Sequence, residues 1–221
     1  MRLVELSHPI EAGMVTYPGL PGPVLSDHLS REASRKIYAP GTSFQIGRIE
    51  MVANTGTYVD APFHRFEDRE DVGSLPLSRL ADVPGIVVDA TGHGRVLDAD
   101  LFASLAVWGR AVLVRTGWDA YFRTPRYGEG HPHLTGHAAQ ALVDGGAAVV
   151  GIDSLNIDDT KDFARPVHTR LLAAGIPIIE HLTNLGSLPA EGFRFTAVPA
   201  PVRGIGSFPV RAYAAVFEED R

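Results

Sequence analysis

Short apolar runs broken by turn residues dominate the chain, and their character changes once along its length. Over the first third the pattern is extended. Residues 3–10 predict a strand, Tyr17-Pro18-Gly19 and Pro21-Gly22-Pro23 predict turns, and residues 43–53 predict a longer strand interrupted by Gly47. From Gly85 onward, compact apolar runs at 86–89, 111–115, 147–153 and 176–182 read as strands buried on both faces. Helical patterns lie between them. Asp98 or Asp100 can cap a helix through Val107, and Thr135 can cap another through Val143 that stops at Gly145-Gly146. A third runs from near His168 to Gly175, and strands near 193–198 and 210–217 close the pattern. Strands and short helices in this order predict an α/β or α+β protein with a mixed sheet.

With 221 residues, 45% hydrophobic and 21% charged, the chain can bury a sizeable core as one domain, residues 1–221. Its longest apolar stretches, 147–152 and 176–179, fall far short of the roughly 20 residues that span a bilayer. The first residues lack an apolar signal core and a small-residue cleavage site, so a cytoplasmic protein without a membrane partner is expected. Twenty basic against 26 acidic residues, with no basic stripe, argue against a nucleic-acid partner. Without cysteine, chemistry must run on His, carboxylate, hydroxyl, Tyr or a metal held by N and O ligands. Phosphate-loop, dinucleotide, HExxH and GxSxG signatures are absent from the sequence.

The most unusual segment runs from Asn54 to His64, NTGTYVDAPFH, directly after a predicted strand. Gly56 and Pro62 force a defined path that would present Asp60 and His64 from a loop at a sheet edge. Alternatively Asp60 caps a turn and His64 is a surface residue. A second cluster pairs His168 with Glu180, whose carboxylate ends the apolar run IPIIE and so needs a partner. That partner is an arginine, Arg170 or Arg211, or else a metal or an acid/base site shared with His64. His131 and His133, in GEGHPH, could bind a metal or lie solvated. His8, His28, His93, His137 and His181 read as structural or exposed. Trp108 and Trp118 read as packing. Asp153 and Asp158 sit at a strand end, where ligands bind or loops are capped.

Taken in order, ELSHPIEAGMVTYPG, NTGTYVDAPFH, VLVRTGW, GIDSLNID, His168 with IPIIEHLTNL, and GFRFTAVPAPV with PVRAYA resemble the metal-dependent hydrolases of the cyclase family. The resemblance covers nearly the whole chain. It implies a single-domain swivelling β/β/α fold with a mixed central sheet, assembled as a homodimer or homotetramer. It also implies hydrolysis of a C–N amide bond of a small aromatic substrate, as in an arylformamidase. The family motif His-x-Gly-Thr-His-x-Asp-x-Pro-x-His places Asn54 and Tyr58 where two metal-binding histidines stand, and keeps Asp60 and His64. This departure argues against a two-metal site. The resemblance then implies one divalent ion, Zn or Mn, held by Asp60, His168 and Glu180, with His64 as the catalytic acid/base and Asn54 or Tyr58 donating to the oxyanion. A metal-free binding protein and a metal-free acid/base enzyme are the alternatives.

Overall fold

The computed structural model describes residues 1–217. Thirteen strands occur among them: β1 (Arg2–Glu5), β2 (Val24–Leu29), β3 (Ile46–Glu50), β4 (Tyr58–Asp60), β5 (Val83–Asp89), β6 (Val96–Leu97), β7 (Ala111–Arg115), β8 (His133–Leu134), β9 (Val149–Ile152), β10 (Ile178–Glu180), β11 (Glu191–Thr196), β12 (Ser207–Pro209) and β13 (Tyr213–Val216). The α-helices are α1 (Arg31–Arg35), α2 (Gly136–Asp144) and α3 (Pro166–Ala173).

Nine strands form one mixed sheet in the order β1-β13-β11-β5-β7-β9-β10-β4-β12. Its centre, β5-β7-β9-β10, is parallel, and both flanks are antiparallel. Alternation along β7 shows why the centre is apolar throughout. Val112 and Val114 pack on the side of α2 and α3, against Leu142 and Leu171, whereas Ala111 and Leu113 face a second core containing Phe193, Phe195 and Leu182. The α/β class and mixed sheet expected from the sequence are what the chain forms.

Several local expectations are corrected. The segment after Asp98 makes only a one-turn 3-10 helix, Ala99–Phe102, because Val107 turns into the core and Gly109, at φ 66°, reverses the chain into β7. The third helix starts two residues early, at Pro166, where a missing N–H costs nothing. The expected strand at 43–53 shrinks to β3, which leaves the main sheet to pair with β2 in a separate antiparallel ribbon. Trp108 is not packed in the core but 83% exposed.

Candidate active site

Three neighbouring strands build the floor of the site. Asp60 is not on an edge loop; it ends β4, which lies between β10 and β12. Antiparallel register sets Glu180 of β10 opposite Tyr58, and Ser207 of β12 opposite Asp60. Directly opposed side chains share a face, and here they hydrogen bond. The Tyr58 hydroxyl donates to Glu180 Oε2 at 2.6 Å, and the Ser207 hydroxyl donates to Asp60 Oδ1 at 2.5 Å. Val59, between them, points into the opposite core. Alternation along three residues thus carries both carboxylates to the helix side of the sheet.

His64 follows on the one-turn helix Pro62–His64, with Nδ1 2.9 Å from the Ser207 hydroxyl. A Cβ at Gly206 would lie 2.4 Å from His64 Cα, so only glycine lets β12 approach this turn. Asn54 donates to Ser207 Oγ at 3.3 Å. Ser207 therefore ties Asn54, Asp60 and His64 together.

His168 descends from the first turn of α3. Asp158, fully buried, accepts the amides of Val167 and His168 at 2.8 and 3.0 Å and takes His168 Nδ1 at 2.6 Å. With Nδ1 engaged, Nε2 faces the floor, 3.5 Å from Asp60 Oδ2 and 3.7 Å from Glu180 Oε1. Asp60, His64 and His168 each bring a ligand-type atom within 4.8 Å of the others. Glu180 Oε1 also accepts the Ile157 amide at 2.7 Å, and Asn156 donates to Oε2 at 3.3 Å. The sequence alternative of an arginine partner for Glu180 is corrected: Arg211 pairs with Glu5 at 2.8 Å, and Tyr58, Asn156 and Ile157 serve Glu180.

Burial opposes charge on Asp60, yet His168, His64 and Ser207 hold its carboxyl below the usual carboxylate range. Burial also works against an imidazolium at His168, but its hydrogen bond to Asp158, with the carboxylates of Asp60 and Glu180 nearby, pushes it up to about 10. The floor therefore favours a positive group, either the imidazolium of His168 or a metal ion. Burial, reinforced by Glu180 and Asp60, raises the Tyr58 phenol well above its ordinary value. Tyr58 keeps its one proton and directs it in a hydrogen bond to Glu180, not at a substrate oxygen. Asp60 Oδ2 is buried without a hydrogen-bond partner among the described residues. A carboxylate oxygen without a hydrogen bond, 3.5 Å from an imidazole nitrogen that can exchange its proton for a metal, fits a divalent cation.

These groups open into a cavity of about 280 Å³ that is also walled by Tyr17, Leu20, Arg65 and Arg165. The remaining candidates lie outside it. His131 and His133 are buried rather than solvated, and His131 Nε2 meets the Asp158 carbonyl at 3.0 Å. His181 is fully buried against the Tyr127 hydroxyl, at 2.8 Å. Asp153 caps a loop, accepting the amides of Thr116 and Gly117 at 2.7 and 2.9 Å. Sequence reasoning missed Ser207 and Asn156. Neither carries a signal in the chain, since only strand register and the turn after β9 bring them to the carboxylates.

A curled mixed sheet with an Asp–His–Glu floor beneath an open pocket defines an α/β protein with an enzyme-like site for a cation. The family described as "Putative cyclase" matches residues 4–159, and the chain belongs to this cyclase family. The kynurenine formamidase of Bacillus cereus is 25% identical over 209 residues, covering 95% of each chain. That of Paracidovorax citrulli is 26% identical over 217 residues, covering 95% of this chain and 94% of its own. A solved structure described as a potential metal-dependent hydrolase with cyclase activity is 26% identical, with a TM-score of 0.79 and 96% of both chains covered. Isatin hydrolase A from Labrenzia aggregata shares the fold, with a TM-score of 0.84 at 22% identity over 98% of this chain and 94% of its own.

Proposed function

We propose that this cyclase-family hydrolase cleaves the C–N amide bond of a small aromatic substrate with the help of one divalent ion. The observation that carries the reading is the pairing of the orphaned Asp60 Oδ2 with His168 Nε2, 3.5 Å apart at the base of the pocket. Asp60, His168 and Glu180 would hold the ion, and their N/O donor set suits zinc or manganese. Such an ion supplies Lewis acidity that polarises the scissile carbonyl and acidifies the attacking water. Asp158 fixes the tautomer of His168 so that Nε2 faces the site.

The rest of the chemistry belongs to the chain. His64, at the pocket wall with Nδ1 anchored to Ser207, takes a proton from the attacking water and returns it to the leaving nitrogen. The Asn54 amide, which also lines the pocket, would donate to the developing oxyanion in place of Tyr58. Tyr17 and Leu20 offer an apolar wall for an aromatic ring. The relatives named kynurenine formamidase support an amide as the bond cleaved. We place the enzyme in the cytoplasm as a homodimer or homotetramer.

The test is turnover of an aryl formamide, a lactam and a small ester, before and after chelation. Metal-dependent hydrolysis of the formamide or lactam is expected. No turnover of any of the three with Zn or Mn supplied would sink the reading.

A further inference from the structure

Two guanidinium groups wall the pocket, and neither pairs with a carboxylate among the described residues. Arg65 directly follows His64 and is exposed beside the Phe66 ring. Arg165 is half-buried and sits just before α3 in a left-handed conformation, φ 47° and ψ 59°. A non-glycine residue held there is strained, and such strain gathers at ligand-binding positions. Its Nη1 donates to Asn156 Oδ1 at 3.2 Å and reaches the Asp159 carbonyl at 3.5 Å, while Nε and Nη2 make no hydrogen bond among the described residues.

The charge balance of the pocket gives these groups a direction. Resting on the hydrolase reading, Asp60 and Glu180 offset a divalent ion, which leaves both guanidinium groups uncompensated. A guanidinium presents paired N–H donors that match a carboxylate. We propose that Arg165 and Arg65 form a carboxylate-binding subsite, so that the substrates of this enzyme are anionic: aromatic amides that carry a carboxylate apart from the scissile bond. Arg165 supplies the oriented, half-buried contact and Arg65 the exposed one. Asn156 couples the subsite to the floor, because its Oδ1 takes Arg165 and its Nδ2 donates to Glu180.

Two matched pairs of compounds test this with the purified protein as it stands. In the first, calorimetry compares 3-aminobenzoate with aniline as ligands. In the second, 3-formamidobenzoate is compared with formanilide as substrates; water attacks the formyl carbon, the C–N bond breaks, and the nitrogen leaves protonated as the amine beside formate. The wild type should favour the carboxylate-bearing member of each pair by roughly tenfold or more, as expected of a charge-assisted bidentate contact. Arg165→Gln should remove most of that preference through KM, Arg165→Lys should restore part of it, and Arg65→Gln, on an exposed loop, should lower it without affecting folding. The double Gln variant should bring the ratio close to one. Equal binding and equal kcat/KM for the two members in the wild type would overturn the proposal while leaving the hydrolase reading intact. A preference that survives the double substitution belongs to another cation of the site and overturns it too. Selective, arginine-dependent binding with no turnover of either amide upholds the subsite and counts against the hydrolase reading instead.

Discussion

His64 and Asp158 both serve the pocket, yet their loss should have different consequences. His64 holds its place through Ser207 and faces the cavity, so His64→Ala should leave metal content and melting temperature unchanged while lowering kcat by roughly two to four orders of magnitude. Loss of bound metal in that variant would make His64 a ligand, in line with its closeness to Asp60 and His168, and would contradict its role as proton carrier. Asp158 touches no substrate and positions His168. Asp158→Ala strips an acceptor from two helix amides and from the imidazole, so metal affinity should fall about 10- to 100-fold. Metal titration followed by competition with a chelator reads this directly. Tyr58→Phe leaves Glu180 Oε2 without its 2.6 Å donor and should cost about 1 to 3 kcal/mol of stability, visible in denaturant unfolding. An unchanged midpoint would mean that the phenol contributes nothing to holding Glu180.

At the scale of elements, the closeness of β12 to the turn that carries His64 depends on Gly206. A methyl there would meet the His64 backbone at 2.4 and 2.6 Å, contacts that only a backbone shift relieves. Gly206→Ala should destabilise the protein by about 1 to 3 kcal/mol and displace His64, lowering kcat as well. A variant with wild-type stability and rate would show that the approach is not constrained. The same elements show what the sequence could and could not reveal. The runs at 86–89, 111–115, 147–153 and 176–182 are legible because strands covered on both faces must be apolar throughout. Thr135 is legible as a cap because its hydroxyl accepts the Ala138 amide, at 3.1 Å. Asp60, His64, His168 and Glu180 stand out by residue type and by their resemblance to a family motif, and the fold brings them together. Ser207 was hidden because its role arises only when β12 pairs with β4, 147 residues from Asp60. The β2 strand was hidden too, since Val24-Leu25-Ser26-Asp27-His28-Leu29 has neither clean alternation nor a continuous apolar run.

At the scale of the whole molecule, the β2–β3 ribbon stands apart from the nine-stranded sheet with Val24, Leu25, Ile46 and Ile49 exposed. A two-stranded ribbon is marginally stable alone in water, and an apolar one gains from being covered. Light scattering should give about two or four times the 23.8 kDa chain mass, and Ile46→Asp with Ile49→Asp should shift the protein towards that single-chain value. A wild-type mass near 23.8 kDa at micromolar concentration would remove the oligomer from the account. Elemental analysis of protein purified without added metal or chelator should find about one zinc or manganese ion per chain, lost in Glu180→Ala while circular dichroism stays native. Failure of the wild type to retain either metal, even after incubation with excess at pH 8, would contradict a metal site in the floor of the pocket.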